Sequence, residues 1–571
     1  MIDKVQLDRI IGKDFPNFQE VPSEELSKFR SPSFAYRGNV SLVGKSITLG
    51  VGIPKGFPTT KPTFFILPYD ALGFIPHVDP DGYICYIQED NLNLDYNNPE
   101  GILSFGIERV KEVLEQGFTA ENENDFLNEF SSYWQHNVKC LSGAFINTCS
   151  ISQTPKKVQM GVTDLLRVFS DSSSLKEVNE NICGRFGLRK VKKWDFATYL
   201  PIKKETLKCP PKFEEFWSLQ EIQELISQNY SQEELSELLH SKPRKDEYVL
   251  LGISDYLGNV HLVGVRVRNK SNYYESAFYS KNYKAFDAAP FYLIRLEKES
   301  LLPRSGGKIE LAEKRVLIIG GGSVGAPIAL NLARAGVGKM TICDPESFSH
   351  ENIYRHPLGV SYLNVNKAEA LKSSIEALIP FCRITSIPEK VECIGIHEFG
   401  KFDLVVFATG DPTVNRFVSE QIRKEGISTS LIYAWNEPYG LGGHALLTHS
   451  LGKGCYSCLY NDDLHNRASF CSEFQPKSFV KSLAGCIGNF VPFGYLDSTK
   501  TAELASRLAI DSLIGGFKNP QIKSWKGDSK QFLEEGYNLS ERYTSFSEEE
   551  LLSGTAPFTN HECQNCSTPL K

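Results

Sequence analysis

Arg315-Val-Leu-Ile-Ile-Gly-Gly-Gly-Ser-Val-Gly325 is the stretch on which the fold turns. Val316 to Ile319 is an unbroken apolar run, the pattern of a strand buried on both faces. Gly320, Gly322 and Gly325 follow at G-x-G-x-x-G spacing, and Ala326 to Ala335 reads as a helix ending at Gly336. A glycine loop between a strand and a helix aims unpaired amides and the helix dipole at one spot, which suits phosphate. Lys339-Met-Thr-Ile-Cys343 reads as a second strand ending at Asp344, and Asp403-Leu-Val-Val-Phe407 as a later one. Strands alternating with helices predict a parallel α/β sheet with its ligand at the strand C-termini. The loop and Asp344 alone also suit a nicotinamide or flavin dehydrogenase with the acid on a ribose.

The residues downstream favour a different chemistry. Glu351-Asn352-Ile-Tyr-Arg355 and Asn364-Val-Asn-Lys367 place two cations shortly after Asp344, which suits a triphosphate. Asp411, in Ala408-Thr-Gly-Asp411-Pro-Thr-Val-Asn-Arg416, lies just past a strand end, where an acid holds Mg²⁺ or an adenylate. Over roughly residues 310 to 571 this order of motifs resembles the adenylation domain of ubiquitin-activating enzymes and their bacterial ThiF and MoeB relatives. The resemblance implies a Rossmann-like domain that activates a C-terminal glycine carboxylate with ATP. It implies Asp344 on the ribose, Asn352, Arg355 and Lys367 on phosphates, Asp411 supporting Mg²⁺-ATP, and a homodimer. Relatives often carry Asp-Asn where this chain has Asp411-Pro412.

The N-terminus lacks the apolar core and cleavage site of a secretory signal, and no run approaches ~18 apolar residues. A cytoplasmic protein is expected, whose 14 cysteines stay reduced and serve as metal ligands, reactive thiols or small buried hydrophobes. Cys455-Tyr-Ser-Cys458 and Cys563-Gln-Asn-Cys566 together supply four thiolates for structural Zn²⁺, a redox Cys-x-x-Cys being the alternative. Cys471 and Cys486 remain as nucleophiles. In the activating family the thiol lies after the first C-x-x-C near a helix start, where amide dipoles lower its pKa. Ala484-Gly-Cys486-Ile-Gly resembles that segment, so Cys486 is preferred and Cys471 is the runner-up.

The first third has another period. An amphipathic helix (Val5, Leu7, Ile10, Ile11) precedes short β-type runs at Phe34–Tyr36, Val40–Val43, Ile47–Val51 and Thr63–Ile66, broken by Gly and Pro as in an antiparallel meander. Ile102 to Phe118 returns to helical spacing. Between them, Gly82-Tyr-Ile-Cys85 follows a turn rich in Asp and Gly, which predicts an exposed thiol. Over about residues 1 to 145 this order resembles the core of a ubiquitin-conjugating enzyme, implying an α+β domain with Cys85 as thioester residue. The family's His-Pro-Asn triplet is not reproduced: His77-Val-Asp79 stands there, leaving His77 or Asp79 to position an attacking amine.

At 571 residues the chain exceeds a single core. Three domains are expected: residues 1–149, conjugating-like; 158–305, an α/β middle region; and 306–571, the adenylation domain with its reactive cysteine and zinc knuckles. Ser150 to Lys157 reads as a linker, and the middle region joins a helical stretch, Leu219 to Leu239, to strands at Tyr248 and Val260 without chemistry of its own. A net charge of −7 argues against nonspecific nucleic-acid binding, and no membrane association is expected.

A conjugating-type domain ahead of an activating-type domain resembles the ubiquitin-transferase-like proteins of bacterial antiphage CBASS operons. That resemblance implies a definite route: the C-terminus of a cyclic-nucleotide synthase is adenylated, captured on Cys486, passed to Cys85 and joined to a target amine. Sulfur-carrier activation of the ThiF kind and a nonenzymatic nucleotide-binding adaptor are the alternatives, with an oxidoreductase further off.

Overall fold

The strand that opens the glycine loop, Arg315–Ile319, lies third in a seven-stranded sheet. The computed structural model describes residues 4–87, 92–163, 166–171, 178–184, 187–207, 209–239, 244–270, 274–379, 381–460, 464–472, 479, 481–482 and 489–567. The chain divides into two units, one of residues 1–178 with 189–295, the other of 179–188 with 296–571.

In the second unit the sheet runs Arg383–Ile387, Lys339–Cys343, Arg315–Ile319, Leu404–Phe407, Ser430–Asn436, Gly442–His449 and Gln521–Lys526. The first five strands are parallel, as in a doubly wound domain, and Gly442–His449 pairs antiparallel with a neighbour on each side. Period two divides its apolar side chains between two cores. Val316 and Ile318 pack with helices Gly325–Ala335, Lys367–Leu378 and Tyr495–Gly515, while Leu317 and Ile319 pack with Val418 and Ile422 of Pro412–Lys424. Both faces are thus covered, which is why the strand needs no polar residue after Arg315.

In the first unit, helix Lys4–Asp14 buries Leu7 and Ile11, one turn apart. They pack on an antiparallel sheet of Gln19–Glu20, Phe34–Leu42, Lys45–Ile53 and Thr63–Leu67. The runs at Phe34 and Val40 are one strand. Helix Pro99–Phe118 starts at Asn98, whose side chain accepts the Gly101 N–H at 2.9 Å, with Pro99 in the first position. Its Ile102, Leu103, Ile107, Val110 and Leu114 join the same core, each side chain contributing about 1.5–3 kcal/mol by burial.

The same unit holds an eight-stranded mixed sheet: Phe286–Phe291, Val260–Asn269, Asp246–Ser254, Lys193–Ile202, Lys156–Val162, Leu166–Ser170, Ala144–Asn147 and Ile294–Arg295. The Ser150–Lys157 stretch, a linker by composition, joins two strands of this sheet, and Lys156 Nζ lies 2.6 Å from Asp171. The expected helical stretch is two helices, Leu219–Asn229 and Gln232–Leu238, because Ser231 starts the second with a capping box to Glu234. No helix among the described residues is long and apolar enough to cross a membrane.

Candidate functional site

Three strand ends converge at the glycine loop. Gly320 leaves its strand at φ +92°, its N–H bonded to the Cys343 carbonyl at 2.8 Å, so the loop is tied to the neighbouring strand end. Asp344 follows Cys343 and is 5% exposed. Its Oδ2 accepts the Gly321 N–H at 2.6 Å and its Oδ1 the Glu346 N–H at 2.8 Å. Burial raises its pKa above the usual carboxylate value, against the pull of these two amides. The helix starting at Lys367 is capped by Asn366, whose amide also donates to the Asp344 carbonyl at 2.9 Å.

These elements line a cavity of about 650 Å³. Gly322, Ser323 and Val324 form one wall, and Asn352, Arg355 and Lys367 reach it from the segments after Asp344. Lys367, 5% exposed, points Nζ at Glu346 Oε2, 2.6 Å away. Arg355 Nε is buried with no hydrogen-bond partner among the described residues. Two cations lining one cavity, Arg355 and Lys367, suit a polyphosphate, whose oxygens accept charge-assisted hydrogen bonds. Trp435, Tyr456, Tyr460 and Phe493 give the lining an aromatic share, and the Arg355 guanidinium lies 5.8 Å from the Phe493 ring centroid.

Asp411 does other work in this structure. It caps helix Pro412–Lys424, its Oδ1 accepting the Thr413 and Val414 amides at 2.8 and 3.1 Å, while its neighbours Gly410 and Pro412 line the cavity. Proline at the first helical position fits that start, which accounts physically for the Asp411-Pro412 departure. Asn415, one turn on, also lines the cavity and bonds Thr409.

Sequence reasoning missed two histidines. His356 Nε2–H donates to the Gly321 carbonyl at 2.7 Å while Nδ1 accepts the Leu358 N–H at 3.2 Å. Burial holds its pKa down, to about 4, so it clasps the glycine loop as a neutral ring. Its signal was its place beside Arg355. His444, fully buried, donates Nε2–H to Glu437 at 2.9 Å and accepts from Ser524 at 2.8 Å through Nδ1. Glu437 in turn accepts the Ser469 hydroxyl at 3.1 Å and the Phe470 N–H at 3.3 Å. Buried donors thus surround this carboxylate, and they fix the segment leading to Cys471.

Cys471 is buried and lines the cavity. Cys486 lies outside the described residues. Cys455, Cys458, Cys563 and Cys566 come together, all four sulfurs within 4.8 Å of one another. Cys455 and Cys563 are 3.7 Å apart and Cys458 and Cys566 3.4 Å, close to the roughly 3.8 Å edge of a tetrahedron with Zn–S near 2.3 Å. The donor set and its spacing fit Zn²⁺.

In the first unit Cys85 is exposed. Gly82 to Cys85 lies along Thr63–Leu67, with Ile66 N–H bonded to the Gly82 carbonyl at 2.8 Å and Ile84 N–H to that of Phe64 at 2.9 Å. Asp79 is engaged by Arg30 at 2.6 Å, and Arg30 also bonds Asp81 and lies 3.9 Å from the Tyr83 ring centroid. The His77 ring sits between Asp125 and Glu129.

Residues 300–507 match the ThiF family and residues 16–141 match prokaryotic E2 family B. An ATP-dependent ubiquitin transferase-like protein Cap2 of Pseudomonas aeruginosa is 24% identical over 508 residues, spanning 84% of this chain and 89% of its own. One of the same description from Vibrio cholerae is 22% identical over 486 residues, 77% of this chain and 80% of its own. An adenylyltransferase and sulfurtransferase UBA4 of Yarrowia lipolytica is 29% identical over 171 residues, 29% of this chain and 42% of its own. The ThiF match contains the glycine loop, Asp344, Arg355, Lys367, Asp411 and the first cysteine pair; the E2 match contains His77 and Cys85. The chain is a ubiquitin-transferase-like enzyme of activating and conjugating type, in which a prokaryotic E2 family B region precedes a ThiF family region.

Proposed function

We propose that this enzyme adenylates the C-terminal carboxylate of a partner protein with ATP and passes the acyl group through thioesters to a target amine. The observation that carries the reading is the cavity in which the glycine loop, Asn352, Arg355 and Lys367 converge. The carboxylate attacks the α-phosphorus of ATP and releases pyrophosphate. Lys367 and Arg355 offset the growing negative charge, and Gly320, Gly322 and Gly325 let backbone amides approach the phosphates. Asp344 binds the ribose, and Asp411 supports Mg²⁺ through the carboxylate it also uses as a cap. A thiolate then displaces AMP. Cys486 is that thiol by its segment; Cys471 is the second reading, favoured by its place on the cavity wall. Exchange onto Cys85 frees the first thiol, and attack by an amine forms an amide and frees Cys85. Zn²⁺ held by Cys455, Cys458, Cys563 and Cys566 supplies cross-linking, with no part in the chemistry.

The partner in this reading is a CBASS cyclic-nucleotide synthase, whose conjugation primes antiphage defence, and the enzyme works as a cytoplasmic homodimer. Sulfur-carrier activation is the rival, suggested by the adenylyltransferase and sulfurtransferase among the relatives. Intact mass after incubation with ATP, Mg²⁺ and such a synthase separates them. Cys85→Ala should hold one acyl group and Cys486→Ala none; acyl loading of Cys486→Ala but not of Cys471→Ala transfers the role to Cys471. Normal product from Cys85→Ala refutes the relay.

A further inference from the structure

His77 has four connections around Cys85 that its place in the sequence does not announce. Its ring nitrogens lie 3.1 Å from Glu129 Oε1 and 2.9 Å from Asp125 Oδ2. An ionised carboxylate only accepts, and a neutral imidazole has a single N–H, so ionised carboxylates on both nitrogens favour the imidazolium. The backbone N–H of His77 donates to Tyr133 Oη at 2.8 Å, and its carbonyl accepts the Cys85 N–H at 2.9 Å. His77 adopts φ +64°, an unfavourable conformation for a side chain of this size, which persists only where the surroundings hold it.

We propose that His77, held as an imidazolium between Asp125 and Glu129, is the positioning residue for Cys85, fixing the thiol's backbone through its own carbonyl. The relevance of this to acyl transfer rests on the relay proposed above; the geometry does not. The side chain is turned to the acids of the Asp125–His136 stretch and acts on Cys85 through the backbone. The groups facing it are Asp125, Glu129 and Tyr133 from that stretch; Asp79, in its own turn, acts on Tyr133 and is held by Arg30. Burial works against the charged ring, and Glu129 and Asp125 outweigh it, so its pKa lies above the ordinary value. The latch is therefore complete below the ordinary histidine pKa and is lost as pH rises through the higher folded value.

The test is hydrogen exchange of the peptide spanning 77–86 in the full-length protein, corrected for intrinsic rate, at intervals between pH 6 and 9. Protection of this segment should fall severalfold in one step. His77→Gln should remove the step, and Asp125→Asn or Glu129→Gln, changes at partly exposed acids that leave the core intact, should move it to lower pH. A purely structural contact would lower protection equally at every pH. Protection that is flat with pH, or the same step in His77→Gln, overturns the proposal. Acyl loading of Cys85 measured alongside separates the two readings: a step without loading sinks the relay and keeps the latch, and loading without a step does the reverse.

Discussion

Alanine at Gly325 and at Gly322 should injure the protein in different ways. A Cβ at Gly325 would stand 1.9 Å from the Gly320 carbonyl oxygen and 3.0 Å from its carbon, where real Cβ atoms keep at least 3.0 Å from such a neighbour. The loop or the start of helix Gly325–Ala335 must therefore separate by about 1 Å, and the obstacle is backbone, which does not swing aside. Overpacking of this kind costs about 1–3 kcal/mol. The displaced atoms carry the amides that face the cavity, and a 1 Å error in positioning is worth about a hundredfold in rate. At Gly322 a Cβ meets nothing within 4 Å, so the fold should accept it while the methyl group intrudes on the cavity wall. The assay pairs thermal denaturation with titration of a fluorescent ATP analogue. Gly325→Ala should lose both stability and nucleotide, and Gly322→Ala nucleotide affinity alone. Wild-type melting and binding in Gly325→Ala would refute the close-approach argument.

His356 predicts an acid sensitivity. Its folded pKa of about 4 lies below the unfolded 6.5, so the unfolded chain takes up the proton first and stability drains away as pH falls between those values. Between pH 7 and 5 the wild type should lose about 2 kcal/mol relative to His356→Gln in urea denaturation, and parallel curves would contradict it. Glu346→Gln releases Lys367 from a pair whose acid is 71% exposed, so the gain in affinity for the ATP analogue should be modest, about two- to fivefold. A loss instead would make Glu346 part of the binding set. Elemental analysis of purified protein should find one zinc per chain, and none after Cys458→Ser with a lower melting temperature; unchanged metal content would remove zinc from the cluster.

The glycine-loop unit was largely legible because its signals are local. Val316 to Ile319 is apolar without interruption, the G-x-G-x-x-G spacing is rigid, and each C-x-x-C pair advertises itself. The breaks were also written locally: Ser231-Gln-Glu-Glu234 is a capping box that splits the stretch read as one helix. What could not be read depends on distant chain. Ala144–Asn147 pairs with Leu166–Ser170 on one side and Ile294–Arg295 on the other, so the far partners that make it a strand, such as Ile294 on Ile146, lie 148 residues away. The His77 carboxylates follow 48 and 52 residues later, and His444 finds Ser524 80 residues on. Asp411 shows a different limit, since one acidic residue at a strand end serves equally as helix cap or as ligand support, and composition does not choose.

The cysteine cluster turns a stretch of chain into a ring. Cys455 meets Cys563, and Cys458 meets Cys566, each pair 108 residues apart, so the polypeptide between them leaves and returns to one knot. A cross-link over a loop of that length removes several kcal/mol of freedom from the unfolded chain, about 4–5 on the polymer estimate. Cys471 and the long helix Tyr495–Gly515 both belong to this ring. With Zn²⁺ held there, metal occupancy and thiol reactivity would be coupled variables: a chelator acting at the knot would slacken the segment that presents Cys471 together with the cavity wall that Cys471, Tyr456 and Tyr460 share. The rate at which that thiol is alkylated thus becomes a gauge of whether the knot is tied.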